Sequence, residues 1–359
     1  MTRARRHDVR PTEATMAQRD SKRSDDRPTL EAVAAHVGVG RGTVSRVING
    51  SPQVSDEVRE AVLQAIDDLG YVPNRAARSL VTRRADSIAL VVSESEDRVF
   101  AEPFFAGVIR AVSAEIADTS MQLWLAMVTS SIDRRRLEGQ LIGRHVDGVL
   151  LLSLHGTDPL PRLLEEIGLP TVLGGRPTGS TPDSYVDVDN CAGARLAVEH
   201  LIARGRRHIA TITGPQDMHA GVDRLDGYHR GLDDAGLDGE EGLVAHGDFS
   251  EASGVAAMQA LLARRPDIDA VFTASDPMAF GAMRAIKDAG RRIPEDVAVV
   301  GFDGSPMARY TDPPLSTVHQ PVEAMGREMS RLLLSRIAGE PIAQPAVILA
   351  PDLVVAESS

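Results

Sequence analysis

The sequence predicts a small all-α head of three helices followed by an α/β body of two doubly wound parallel sheets. Two patterns and one charge asymmetry carry this. Residues 28–72 hold short helical patterns punctuated by Gly38, Gly50 and Gly70, whereas from Ser87 apolar strand-like runs alternate with amphipathic helical stretches. About nine or ten such runs suggest two sheets, not one. Residues 1–85 hold 15 Lys+Arg against 11 Asp+Glu, and the rest of the chain holds 24 against 40. A basic head on an acidic body suggests that only the head approaches a polyanion.

At 359 residues the chain has room for two or three domains. Its 43% hydrophobic and 25% charged residues are the composition of a soluble globular protein. No run reaches the ~18 apolar residues of a membrane span. Residues 1–27 are polar and Arg-rich and lack the apolar stretch of a secretory signal. They read as a disordered basic arm, or as upstream sequence if Met16 is the true start. Cys191 is the single cysteine, which rules out an internal disulfide and argues against a thiolate metal site. No metal or cofactor is expected, and the expected compartment is the cytoplasm. Lys22 and Lys287 are the only lysines, which with the abundant Ala and Gly reads as genomic G+C bias before it reads as function.

In chain order, Thr29 can cap a helix over Leu30–His36, with Glu31 in its first turn and Leu30, Val33, Ala34 and Val37 on one face. Gly38 permits a turn, and Val39 packs into its corner. A second helix runs from about Arg41 to Ile48 with Val44, Val47 and Ile48 inward, and Asn49-Gly50 ends it. Ser55, Asp56 and Glu57 open a third, with Val58, Val62, Ile66 and Leu69 inward. Two helices across a tight glycine turn, the second exposing polar residues at its start, describe a helix-turn-helix. An ordinary helical hairpin has the same spacing. Next, Asn74 can cap a short helix, Arg75–Leu80, followed by a polar linker to Asp86. It is too short to be stable alone, which suggests folding against a partner.

The stretch TLEAVAAHVGVGRGTVSRVINGSPQVSDEVREAVLQAIDDLGYVPNRAARSL, residues 29–80, resembles the DNA-binding head and hinge of the lactose/galactose repressor (LacI/GalR) family. The resemblance continues over the rest of the chain. It implies a sequence-specific transcriptional repressor bound to double-stranded operator DNA, with residues 28–72 as the helix-turn-helix domain and 73–86 as hinge helix and linker. Arg41, Gly42 and Arg46 match positions that read base edges in the major groove. Thr29, Thr43, Ser45 and Asn49 match positions that contact or frame phosphates. Leu80, with Ala77, matches the hinge leucine that wedges into the minor groove. Asn74, Arg75 and Arg78 complete the expected DNA-binding set. The family's usual Ser-x-Ala is Gly40-Arg41-Gly42 here, so Arg41 should dominate reading at its base pairs. Arg59 reads as solvated or close to phosphate.

In the body the strand-like runs are SIALVVS, MQLWLAMV, GVLLLS, PTVLGG, HIATITG, AVFTAS and VAVVGFDG. Helical stretches lie at 104–117, 133–145, 190–204, 221–236, 251–264 and 277–290. A break falls near YVDVDNCAGA, where Asn190 can cap the next helix. The family implies two periplasmic-binding-protein-like subdomains around a sugar-sized cleft within residues 87–359. One covers about 87–187 and 320–339, the other about 188–319 and 340–357.

Ligands of such sheets meet residues at the strand C-termini. Those ends collect Ser93, Phe104, Phe105, Ser153, His155, Gly175, Arg176, Arg224, Phe249, Asp276, Asp303 and Gln320. Planar Arg, Asp and Gln groups can grip adjacent sugar hydroxyls, while aromatic faces cover the apolar side of a ring. Arg224 and Asp303 match the family's effector-binding positions. Each Phe could equally be a core residue, Asp276 could simply cap the following helix, and Arg176 could pair with an acidic neighbour. No nucleophile elbow, P-loop or His-rich metal spacing occurs, so no enzyme is expected. Cys191 reads as a small buried residue. An exported sugar-binding protein would share the body but not the head, and a sugar-modifying enzyme would need an acid/base pair that the sequence does not offer.

The segments VVSESEDRVFAEPFF, HVDGVLLLSLHG, VLGGRP and GPQDMHAGVDRL look like the cellobiose- or β-glucoside-responsive repressors of high-G+C bacteria. That implies a cellobiose-like effector, with release from a palindromic operator; cellotriose, a maltose-type sugar or a co-repressor is the alternative within the family. Gly175 stands where most of the family has an aspartate, and Gly304 is a second trimmed position. Both fit a site widened for a second sugar ring. A homodimer is expected, its contacts coming from the face after AEPFFAGVIRAV and the helix near Met278. No heptad tail follows to join two dimers.

Overall fold

The structure, a computed structural model, describes residues 28–72, 84–178, 182–237 and 239–359. The chain divides into two compact units between Arg84 and Ala85. The basic arm and the hinge residues Asn74, Arg75, Ala77, Arg78 and Leu80 lie outside the described residues.

The head consists of α1 (Leu30–Val37), α2 (Arg41–Ile48) and α3 (Asp56–Leu69). Thr29 caps α1 by accepting the Ala32 N–H at 3.2 Å, and Gly38, with φ 74°, ends it. Val33, Val44, Val47, Val62 and Ala65 are buried together, with Leu30, Val37, Val39, Ile48, Val58, Ile66 and Leu69 packed around them. Every inward position read from the helical period therefore joins this core.

The body has β1 (Ser87–Val92), α4 (Glu96–Ala101), α5 (Pro103–Ile116), β2 (Gln122–Met127), α6 (Ser131–Ile142), β3 (Gly148–Leu152), α7 (Leu160–Glu166), β4 (Thr171–Gly174) and β5 (Tyr185–Val188). It continues with α8 (Asn190–Ala203), β6 (Ile209–Thr213), α9 (His219–Asp233), β7 (Val244–His246), α10 (Glu251–Arg264), β8 (Ala270–Thr273), α11 (Asp276–Asp288), β9 (Ala298–Asp303) and β10 (Ser316–His319). Last come α12 (Val322–Ala338), β11 (Ala346–Leu349) and β12 (Asp352–Val354).

Twelve strands among the described residues form two six-stranded sheets, ordered β11-β5-β4-β3-β1-β2 and β12-β10-β9-β8-β6-β7. All neighbours are parallel except β10 and β12. The central runs SIALVV and GVLLL are buried on both faces, as parallel strands under helices must be.

The chain leaves the first sheet after β5 and returns after β10, where α12 packs on α5 and on β3, β4 and β5. One expected boundary needs correction. Residues 340–357 were assigned to the second subdomain, but β11 pairs with β5 in the first sheet and only β12 joins the second. Both strands are short, and their neighbours are chosen by tertiary pairing, not by local pattern. The body also begins earlier than Ser87, since the Ala85 N–H donates to Asp147 at 2.8 Å. On the expected dimer helix, α11, Met278 faces the core, while Phe280 is half-buried and Arg284 and Lys287 are exposed. Exposed large apolar residues among those described include Trp124 and Leu125 on the edge strand β2, Phe100 on α4, and Met307 and Tyr310 after β9.

Candidate functional site

Between the two sheets of the body lies an open cleft whose space, open solvent included, is about 780 Å³. Nine of the expected effector residues line it: Phe104, Phe105, Ser153, Gly175, Arg176, Arg224, Phe249, Asp303 and Gln320. Ser153, Phe249 and Asp303 have φ of 55°, 70° and 127° without being glycines. Strain of this kind collects where a fold must aim a side chain at a ligand.

A chain of polar contacts runs along the cleft wall. Arg176 Nε donates to Asp187 at 2.7 Å, and Asp187 accepts from Asn190 Nδ2 at 3.2 Å. Asn190 Oδ1 accepts Arg224 Nε at 2.9 Å, and Arg224 Nη1 donates to the Ala274 carbonyl at 2.5 Å. Arg224 Nη1 lies 3.7 Å from Asp303, whose Oδ1 accepts Gln320 Nε2 at 2.7 Å. The Arg224 Cζ lies over the Phe302 ring, 3.7 Å from its centroid, a packed cation–π contact. Among the described residues its Nη2 has no hydrogen-bond partner, so that donor remains for a ligand. Burial lowers the pKa of Arg224 and raises that of Asp303, while each charge opposes the other's shift. Helices α8 and α9 can meet this closely because Gly227 has no side chain. A Cβ there would sit 2.2 Å from the Cys191 carbonyl oxygen.

Three expected effector residues stand elsewhere. Asp276 is fully buried behind the cleft, where its carboxylate accepts Thr317 Oγ1 and the Ser305 N–H, both at 2.6 Å. Burial and the neighbouring Asp303 charge push it well above the usual carboxylate range. Its role is to hold the Asp303 loop, and the cap of α11 is Ser275. Ser93 lies at the end of β1 with its Oγ enclosed and unpartnered among the described residues. His155 lies outside this cleft and joins the two halves of the body. Its Nδ1 is 2.9 Å from Asp217 and its Nε2 3.0 Å from Glu94.

Other expectations are refined. Asp189, not Asn190, caps α8, since it accepts the Ala192 N–H; Asn190 instead orients Arg224. Arg176 both lines the cleft and pairs with acids, Asp187 and, across the cleft, Asp223 at 2.5 Å. Gly175 has φ 89° and open space beyond its Cβ position, so the wall there is open. Gly304 does not widen this wall; a Cβ on it would meet His319 Cα at 2.9 Å. Cys191 is partly exposed, and burial together with Asp226 pushes its thiol up to about 11, away from a nucleophile. Among the described residues, no cluster of three or more His, Cys, Asp or Glu could hold a metal ion, and no helix is long and apolar enough to cross a membrane.

Sequence reading missed Arg98 and Glu102. Arg98 Nη1 and Nε donate to Glu94 and Glu102, each at 2.6 Å, and its guanidinium lies 5.0 Å from the Phe249 centroid across the cleft. Desolvation raises the Glu102 pKa to about 7 against the pull of Arg98.

The His155 bridge makes the body pH-sensitive. Only the imidazolium can donate to both carboxylates, and these bonds hold its pKa above the ordinary 6.5. The bridge is therefore complete below that value and is lost as the pH rises through the raised one. The melting temperature of the wild type should exceed that of His155→Ala at about pH 6, with the gap closing by about pH 9. Glu102 titrates in the same interval but is common to both proteins. A constant gap would show that the bridge carries no proton linkage.

In the head, Arg41, Gly42, Ser45, Arg46 and Asn49 occupy an arc of about 140° on α2, opposite Val44 and Val47. Among the described residues Arg41 pairs only with exposed Glu31, at 3.0 Å, and Arg46 Nε donates to the Gly42 carbonyl at 3.2 Å. Thr29 is committed to its cap, Thr43 is half-buried on the flank, and Asn49 Nδ2 reaches Ser45 at 3.4 Å. Arg59 is half-buried and donates to the Ser51 carbonyl at 2.6 Å, which pins the loop before α3.

Comparison with known proteins fits both units. The family of bacterial regulatory proteins, lacI family, matches residues 29–74, and the periplasmic binding protein-like domain matches residues 198–359. The HTH-type transcriptional regulator CelR of Thermobifida fusca is 58% identical over 92% of this chain and 98% of its own. The chain belongs to the lacI family. The transcriptional repressor PurR of Erwinia tasmaniensis is 36% identical over 91% of this chain and 95% of its own. Among solved structures, a complex of the regulator CelR with cellobiose is 55% identical, with a TM-score of 0.75 over 93% of this chain and 100% of that one. A lac repressor dimer bound to operator and the anti-inducer ONPF is 27% identical, with a TM-score of 0.81 over 92% and 99%. This lacI-family chain is thus a helix-turn-helix transcriptional regulator with a periplasmic-binding-protein-like body.

Proposed function

We propose that this regulator is a cytoplasmic, dimeric, non-enzymatic repressor that binds a palindromic operator through α2 and is released by cellobiose or a related cello-oligosaccharide. The observation that carries the reading is the cleft itself. A buried Arg224–Asp303 pair with a spare guanidinium donor faces an open wall at Gly175, and Phe104 and Phe249 stand ready to cover sugar rings. The 58% identity to a regulator called CelR, and the solved CelR–cellobiose complex, support the choice of sugar. Edge-strand residues Trp124 and Leu125 offer an apolar face for the second copy that a palindrome requires.

Calorimetry with cellobiose and glucose, paired with an operator gel shift, tests this. Cellobiose should bind at least tenfold tighter, a gap of ~1.4 kcal/mol, and should release the operator. Equal affinities would remove the two-ring reading. Tighter operator binding with sugar would make the effector a co-repressor.

A further inference from the structure

We propose that His155 is a clasp across the edge of the effector cleft, and that fastening it couples sugar binding to the uptake of a proton. This concerns the regulation of the same cleft and rests on the sugar reading above. His155 follows Leu154, which lines the cleft from the half of the first sheet, and Asp217 precedes Met218, which lines it from the half of the second. The imidazole stands between them. Its Nε2 is 3.0 Å from Glu94, on its own half, and its Nδ1 is 2.9 Å from Asp217, on the other. A backbone bond crosses at the same place, from the Gly156 N–H to the Asp217 carbonyl at 2.8 Å.

The two carboxylates are not equivalent. Glu94 is buried at the end of β1 and held by Arg98 at 2.6 Å, so it stays beside the ring when the halves part. Asp217 belongs to the opposite half, and opening takes it away. A neutral imidazole has one N–H and can donate to one carboxylate only; the second then faces a ring lone pair. Closing therefore favours the imidazolium, and the closed form holds the proton more tightly than the open one. A sugar bound between the halves selects the closed form and so takes up a fraction of a proton. Binding is tightest below both pKa values, and the advantage is lost as the pH rises through that of the closed form. Asp97 and Arg98 from the first half, and Asp248 and Glu251 from the second, share the space around the ring, but among the described residues only Glu94 and Asp217 hydrogen-bond it. Glu102 and Asp223 are also held above the ordinary carboxylate range, and neither bonds to His155.

The test is calorimetry with cellobiose on full-length wild type and Asp217→Ala, at about pH 6 and pH 8, in buffers of different ionisation enthalpy. The Asp217 side chain is 54% exposed in a loop, so its removal leaves the core intact. From pH 8 to pH 6 the wild type should gain at least threefold in affinity over any gain in the variant, and should take up more protons on binding. Equal pH dependence and equal proton uptake would overturn the clasp and leave the sugar reading standing. Hydrogen exchange at the Gly156 amide reads the clasp without sugar. At about pH 6 it should be at least threefold faster in the variant, and at pH 8 the two proteins should agree. Absence of cellobiose binding by both proteins would overturn the sugar reading; equal Gly156 exchange at both pH values would overturn the clasp as well.

Discussion

Arg224→Met is expected to lower cellobiose affinity by at least a hundredfold and to leave the operator occupied at sugar concentrations that release the wild type. Arg224 is the side chain in the cleft whose position is fixed on every side. Asn190 and the Ala274 carbonyl hold two of its nitrogens, Phe302 holds its plane, and Asp303 sets its charge. A guanidinium so preorganised loses little freedom when a hydroxyl binds it. A hydrogen bond to a charged group contributes ~1.5–3 kcal/mol, so two of them amount to ~3–6 kcal/mol, or about 10²–10⁴ in affinity. Methionine keeps the unbranched apolar stem of the side chain but ends where Nε stood, and it donates nothing. It also leaves Asp303 buried without its cation, so a lower melting temperature is expected alongside the lost affinity. Arg224→Lys separates charge from geometry. An ammonium cannot reach Asn190, Ala274 and a sugar as one planar fork, so it should also fail to bind. Cellobiose affinity within tenfold of wild type in either variant would place the sugar elsewhere.

Arg224, in the second turn of α9, is legible in the sequence through its match to the family's effector-binding position. Asp303 is legible because parallel sheets put ligands at strand ends, and strand ends are easy to find in runs such as VAVVGFDG. That rule locates a residue, but it does not say which way its side chain points. Asp276 therefore looked equivalent to Asp303. It differs because Ser275 takes the cap of α11 and turns Asp276 inward onto Thr317 and the Ser305 N–H. Asn190 was misread for a related reason. Asp189 and Asn190 can both cap a helix, and the one that does not cap is free to orient Arg224. Arg98 and Glu102 were missed because α4 is a six-residue helix in a polar stretch, with too few turns to show a period. Their spacing around an ion pair was visible, but Phe249, which gives the pair its meaning, is far away in sequence. The core of the head was legible because three short helices must share one small core, which leaves few choices for the outward face of α2.

Arg41→Ala is expected to lower operator affinity by between thirtyfold and ten-thousandfold and to relax base preference at one position in each half-site. Arg41 is the one long side chain at the start of α2, for its neighbour is Gly42, where a Cβ would meet nothing nearer than Arg46 Nη2 at 3.8 Å. Its side chain is 73% exposed and its partner Glu31 59%, so the ion pair holding it is worth at most ~1 kcal/mol and exchanges readily for a base edge. Arginine meets the O6 and N7 atoms of guanine bidentately, and each such contact discriminates by ~1–3 kcal/mol. A palindrome is read by two copies, so the loss doubles to ~2–6 kcal/mol. Arg59→Ala is the contrast, because Arg59 is spent on the Ser51 carbonyl inside the head. It should lower stability while leaving base preference unchanged. Titrating a set of operators, each altered at one position, reads the difference directly. For Arg41→Ala the penalty of altering one particular base pair should disappear while penalties elsewhere persist. A uniform loss across the whole set, with a shallower dependence on salt, would instead make Arg41 a phosphate contact.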